Sequence, residues 1–139
     1  MSDLFKLNNL PEQVRILIVD DEPDLLTALK YRLEWSNCQV FTAPDGELGL
    51  ERATAEKPDI ILLDAQMPFM DGHEMLKKLR KDPILKDIPV IMVTGMCDDE
   101  DMEKASLNGA TDYVTKPFNF TELTEKIAKA IQQSSHLVK

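Results

Sequence analysis

Five short runs of apolar and β-branched residues, spaced almost evenly along the chain, constrain the fold more than any other feature. They are RILIVD at 15–20, QVFTA at 39–43, IILLD at 60–64, PVIMVT at 89–94 and DYVT at 112–115. Each has the length of a strand, and each is followed by a stretch that suits a helix. At 23–35, Leu25, Leu29 and Leu33 recur every four residues behind Pro23, a residue suited to a first helical turn. At 119–134, Leu123, Ile127 and Ile131 repeat that spacing, with Asn119 placed to cap and Glu122 three residues on. The stretches 45–56, 72–80 and 100–108 fill the remaining gaps. A strand–helix unit repeated five times predicts a parallel sheet covered on both faces.

The composition of the runs orders them. The first, third and fourth are almost wholly apolar, as strands buried on both faces must be, whereas the second and fifth are mixed and belong at the edges. Right-handed crossovers then predict the order 2-1-3-4-5, a flavodoxin-like, doubly wound α/β fold of five parallel strands and five helices. Its winding reverses between strands 1 and 3, and ligands of such sheets bind beyond the carboxyl ends of the strands at that reversal. A length of 139 residues suffices for one such domain and is too short for two. The domain is expected at 14–133, with an N-terminal extension at 1–13 and a tail or linker stub at 134–139.

Charge and cysteine usage remove other classes. Against 16 Lys and Arg stand 25 Asp and Glu, a formal charge of −9 that repels a phosphate backbone and an anionic membrane alike. No direct nucleic-acid contact and no membrane partner are therefore expected. Cys38 and Cys97 are far apart and lack the spacing of metal ligands, so neither a disulfide scaffold nor a structural zinc is expected. A reducing, cytoplasmic setting suits them. No apolar run reaches the length of a bilayer span, and residues 1–13 lack a signal-peptide pattern.

The polar residues that end the runs carry the chemistry. Asp20-Asp21 end the first, Asp64 the third and Thr94-Gly95 the fourth, while Lys116-Pro117 follow the fifth. The fold places all of them on one rim. Any single aspartate there could be a cap or a solvated acid, and Asp20 or Asp21 could cap the helix at Pro23. Three together repel, at roughly 3 kcal/mol per pair for a separation of ~5 Å and an effective dielectric of ~20. A cation or a proton must offset that. Oxygen ligands without His or Cys suit Mg²⁺. A carboxylate beside such a cation and an ammonium can attack phosphorus and become an acyl phosphate. Asp64, at the end of the central run, is the candidate nucleophile, with Asp20 and Asp21 as metal ligands. Lys116 and Thr94 could share the charge on the phosphoryl oxygens. No GxxxxGK[ST] or GxGxxG is present, so the phosphoryl group is expected to arrive on another molecule.

The motifs ILIVDDEPD, PDIILLDAQMPFMDG, PVIMVTG and GATDYVTKPF, in this order and spacing, resemble the receiver domain of two-component response regulators over residues ~14–133. That resemblance implies a phosphorylation-dependent switch rather than an enzyme in its own right, charged by a histidine kinase or a phosphotransfer protein. It implies Asp64 as the acceptor, and Mg²⁺ held by Asp21 directly, by Asp20 largely through water, by Asp64 and by the backbone carbonyl of Gln66. Lys116 would pair with the phosphate. Thr94 and Tyr113 would be the switch pair, the hydroxyl moving to the phosphate while the aromatic ring turns inward. The readout face would be formed by 100–108, 112–115 and 119–134, engaging a downstream protein or output domain, or a second copy as a homodimer. The sequence departs from the pattern at Gly95, where alanine is usual. Gln66 and Met96 occupy positions that vary in the family and flank the path of an attacking water, so they are expected to tune the lifetime of the acyl phosphate.

Two rivals differ in class. A Mg²⁺-dependent phosphatase using an aspartyl phosphate wants a second acid two residues beyond the nucleophile, where this chain has Gln66. An interaction module without a switch would not need the Asp20, Asp21, Asp64, Thr94 and Lys116 set. Elsewhere, His73 reads as solvated at a helix start, His136 as part of the tail, and Trp35 as partly packed. The acidic run 97–102 reads as a solvated helix start favoured by the helix dipole.

Overall fold

The five runs form strands β1 (Arg15–Val19), β2 (Gln39–Ala43), β3 (Ile60–Asp64), β4 (Val90–Thr94) and β5 (Asp112–Thr115). Between and after them lie helices α1 (Pro23–Trp35), α2 (Gly46–Glu56), α3 (Gly72–Lys81), α4 (Asp99–Leu107) and α5 (Phe120–Gln132). The computed structural model describes residues 13–95 and 99–134. Residues 1–12 of the expected N-terminal extension, Met96 and Cys97, and the tail at 135–139 with His136 lie outside the described residues. The strands are all parallel and ordered β2-β1-β3-β4-β5, as the crossover rule requires. The first strand ends one residue short of Asp20, and the fourth begins after Pro89, which has no N–H to give to a ladder.

The apolar runs look continuous in sequence because each serves two cores. Ile16, Ile18, Ile60, Leu62, Ile91 and Val93 pack with Leu29 and Leu33 of α1 and with Leu123, Ile127 and Ile131 of α5. The alternate residues Leu17, Val19, Ile61, Leu63 and Met92 pack with Met75, Leu76 and Leu79 of α3 and with Ala105 of α4. Period two along each strand thus sends successive side chains to opposite faces. Among the described residues, three helices start on side-chain caps: Asp45, Asp71 and Asn119 accept from the backbone N–H of Leu48, Glu74 and Glu122 at 2.8, 2.9 and 2.6 Å. Helix α1 starts without a side-chain cap, on Pro23. Trp35, expected to be partly packed, is instead 77% exposed. It lies two residues beyond Leu33, about 200° around the helix from the buried stripe.

Arg80 fastens α3 to its surroundings. Its guanidinium donates to the carbonyls of Gly109, Lys86 and Ile88 at 2.9, 3.0 and 2.7 Å, joining the end of α3 to the segment before β4 and the turn before β5. Arg80→Met keeps the aliphatic stem but leaves those carbonyls without their shared donor. A loss of about 2–3 kcal/mol in urea-denaturation stability is expected. Among the described residues, no helix is long and apolar enough to cross a membrane.

Candidate functional site

The register of the sheet builds the site. Val19 pairs with Leu63 across β1 and β3, so the next residues, Asp20 and Asp64, emerge side by side at the carboxyl rim where the winding reverses. Both are nearly fully buried, at 3% and 4% exposure, whereas Asp21 is exposed. One carboxylate oxygen from each of the three lies within 4.8 Å of the others. Asp20 and Asp64 use their Oδ1 atoms in the same way, accepting from the backbone N–H two residues on, in Glu22 at 2.8 Å and Gln66 at 3.2 Å. Such turns orient the carboxylates. Asp20 therefore braces the chain entering α1 without capping the helix, whose first turn has no side-chain cap, and remains part of the acid cluster.

Lys116 closes the cluster. Thr94 and Thr115 pair across β4 and β5, and the Lys116 N–H donates to the Thr94 carbonyl at 2.7 Å, which brings the side chain over the rim. Its ammonium lies 3.1 Å from Asp20 Oδ2, 2.8 Å from Glu22 Oε1 and 3.7 Å from Asp64 Oδ2. Burial works against the charged ammonium, but the hydrogen bonds to Glu22 and Asp20 and the charge of Asp64 outweigh it and hold its pKa above the usual lysine value. Burial pushes the Asp64 carboxyl up from 3.8 to about 6, with the charges of Asp20 and Asp21 adding to it, against the Gln66 N–H and Lys116. One ammonium does not balance Asp20, Asp21, Glu22 and Asp64. An oxygen-only donor set with that surplus of negative charge fits a hard divalent cation such as Mg²⁺. Glu22 was not singled out in the sequence, although it continues the acidic run Asp20-Asp21-Glu22.

Behind the acids, the start of α3 is pressed against the end of β3. Gly72 donates its N–H to the Ala65 carbonyl at 3.0 Å, and a Cβ at Gly72 would sit 2.2 Å from the Asp64 carbonyl oxygen. Only a residue without a side chain permits that approach. At Gly95 the nearest atom to an added Cβ among the described residues is Gln66 Oε1 at 3.9 Å, which leaves room there for the alanine usual in the family.

The remaining expected residues are placed as follows. Thr94 is buried at the end of β4, and its hydroxyl donates to Asp101 Oδ2 at 3.3 Å. Tyr113 is half-buried in β5; Lys126 of α5 donates to its carbonyl at 2.6 Å and sits 5.4 Å from its ring centroid. Gln66 is exposed beside Asp64, and Met96 lies outside the described residues. Two readings are corrected. His73 is not solvated: it is 5% exposed, with Nε2 3.1 Å from Asp101 Oδ1. Asp101 is not a solvated acid of the helix start, because it turns inward to meet both His73 and Thr94.

Comparison with known proteins agrees with this fold. A family model described as the response regulator receiver domain matches residues 16–128. The alkaline phosphatase synthesis transcriptional regulatory protein PhoP of Bacillus subtilis is 40% identical over 120 residues, covering 86% of this chain and 49% of that protein. The DNA-binding dual master transcriptional regulator RpaA of Synechocystis is 34% identical over 123 residues, covering 88% and 51%. The chain thus spans about half the length of the curated relatives it matches. Among solved structures, a CheY-like response regulator receiver domain protein from Methanospirillum hungatei superposes with a TM-score of 0.83 at 33% identity, covering 90% of this chain and 98% of that one. The chemotaxis protein CheY4 of Vibrio cholerae gives 0.82 at 29% identity, covering 86% and 99%.

Proposed function

The chain belongs to the response regulator receiver domain family, and from that membership we propose that it is a phosphorylation-dependent switch with Asp64 as the phosphoacceptor. The observation that carries the reading is the placement of Asp64: buried at the end of the central strand, inside a carboxylate cluster and within reach of Lys116. An ionised oxygen of Asp64 attacks the phosphorus of a phosphohistidine on a histidine kinase or phosphotransfer protein. The P–O bond forms as the P–N bond breaks, and the donor imidazole leaves with its electron pair and takes up a proton. Asp20, Asp21, Asp64 and the backbone carbonyl of Gln66 would hold Mg²⁺. When bound, it neutralises charge on the phosphoryl oxygens.

The chain's own groups do the rest. Lys116 exchanges its contacts with Asp20 and Glu22 for a phosphoryl oxygen, and the Thr94 hydroxyl turns from Asp101 to another. Tyr113 then turns inward, and Lys126 couples that movement to α5. The face formed by α4, β5 and α5 engages a downstream protein or an output domain, or pairs two copies as a homodimer. Gln66 and Met96 set how long the acyl phosphate lasts. The switch is assigned to 14–133 and to a cytoplasmic setting, without direct nucleic-acid contact and without enzymatic turnover beyond its own phosphorylation and dephosphorylation. The regulated output is thereby assigned to what the receiver contacts.

Acetyl phosphate or beryllofluoride with Mg²⁺ is expected to modify the wild-type protein and not Asp64→Asn, as read by intact-mass measurement for the phosphate and fluorine NMR for the analogue. Stoichiometric phosphate on another residue of the Asn variant would overturn the acceptor assignment.

A further inference from the structure

Two residues outside the acid cluster hold the group that must move. The Thr94 hydroxyl donates to one oxygen of Asp101 at 3.3 Å, and His73 Nε2 stands 3.1 Å from the other. We propose that His73 and Asp101 form a latch that fixes the Thr94 hydroxyl in its resting position, so that binding of a phosphoryl group must work against it.

The latch joins three elements at their site-facing ends. His73 is the second residue of α3, Asp101 lies in the first turn of α4, and Thr94 is the last residue of β4. Of the three acids in the first turn of α4, Asp99 and Glu100 are exposed, whereas Asp101 turns its side chain inward to 19% exposure. A carboxylate only accepts, so Nε2 of His73 carries the proton and donates. The other ring nitrogen, Nδ1, is buried without a hydrogen-bond partner among the described residues. Buried polar atoms are rarely left in that state. The ring is therefore placed for its contact with Asp101 rather than to satisfy both nitrogens. Its mounting is rigid, because Gly72, the preceding residue, packs directly on the backbone of Asp64. With one oxygen held by His73, Asp101 keeps the other aimed at Thr94. This inference rests on the reading of Thr94 as the hydroxyl that turns to the phosphoryl group. On that reading, the Thr94–Asp101 bond is made at rest and lost on activation. His73 and Asp101 are positioning residues that act through Thr94, and their contact also ties α4 to α3 in the resting state.

The test is calorimetric titration of the full chain with beryllofluoride in saturating Mg²⁺. His73→Leu and Asp101→Ala are each expected to bind about fivefold to tenfold more tightly than wild type. His73→Gln, whose amide N–H can still reach Asp101, stays within about twofold of wild type. The double variant is no tighter than Asp101→Ala alone, because both changes release the same hydroxyl. A merely structural role would lower thermal stability and weaken binding together, whereas the latch predicts tighter binding despite lower stability. If His73→Leu does not fold, Asp101→Ala decides alone, since its side chain is only partly buried. Uptake by the wild type, with the variants' affinities unchanged or weaker, overturns the latch and leaves the phosphoacceptor reading intact. No uptake by the wild type overturns that reading, and the latch with it.

Discussion

Gly72→Ala is expected to cost about 3 kcal/mol or more and to remove the Mg²⁺ response with it. The added Cβ would lie 2.2 Å from the Asp64 carbonyl oxygen, 2.8 Å from Ala65 Cα and 2.9 Å from the Asp64 carbonyl carbon. All three are backbone atoms, so no side chain can rotate away to make room. The start of α3 must back off from β3, and the Gly72–Ala65 hydrogen bond and the Asp71 cap are strained together. The displaced backbone belongs to Asp64, so the carboxylate cluster deforms in the same event. Urea unfolding with and without Mg²⁺ reads both effects: a lower midpoint, and a smaller upward shift when the ion is added. Gly95→Ala is the matched control. Among the described residues its Cβ meets nothing closer than Gln66 Oε1 at 3.9 Å, and a change within about 0.5 kcal/mol is expected. Equal losses in the two variants would refute the steric argument.

The second large effect is the response of the acid cluster to pH. With the Asp64 carboxyl at about 6, protons compete for the site just below neutrality. Apparent Mg²⁺ affinity is expected to fall by about tenfold between pH 7.5 and pH 5, followed by calorimetry. Stability in the absence of the ion moves the opposite way. The folded-state pKa lies above the ordinary value of 3.8, so the folded protein holds this proton more tightly than the unfolded chain does. The resulting contribution is fully present below about 3.8 and is lost as the pH rises through about 6. Asp64→Asn removes the unfavourable buried charge. At pH 7.5 and without Mg²⁺ it should therefore be more stable than wild type by roughly 1–2 kcal/mol, the shift being reduced by screening at the open rim. It should also gain nothing from Mg²⁺. A wild-type protein whose Mg²⁺ affinity is flat from pH 7.5 to 5 would contradict the raised Asp64 pKa.

The parts of the fold legible in sequence are those encoded by local periodicity. Apolar runs such as Ile60–Asp64 announce strands covered on both faces, and the residue ending each run lands on the same rim in any parallel sheet. The positions of Asp20, Asp21, Asp64 and Lys116 at the ends of these runs therefore group them on that rim from sequence alone. What escaped depends on tertiary pairing or on backbone conformation. His73 and Asp101 meet across 28 residues, and nothing near either one signals the other. Glu22 looks like an ordinary acid at a helix start until Lys116 reaches it from 94 residues away. Phe69 is fully exposed with a φ of 69°, in the left-handed region, and no glycine or asparagine marks that position.

The contact between Lys116 and Asp20 spans 96 residues, and this separation has a consequence for synthesis. A ribosome releases Asp20, Asp21 and Asp64 well before the segment that carries their counter-charge. Until β5 docks, the nascent rim holds unopposed carboxylates, which repel one another and favour protons or cations from solution. Closing so long a loop is slow relative to local helix formation. The strand that completes the sheet is also the one that brings in Lys116, so a chain stalled before residue 116 carries the acceptor without the ammonium that stands over it.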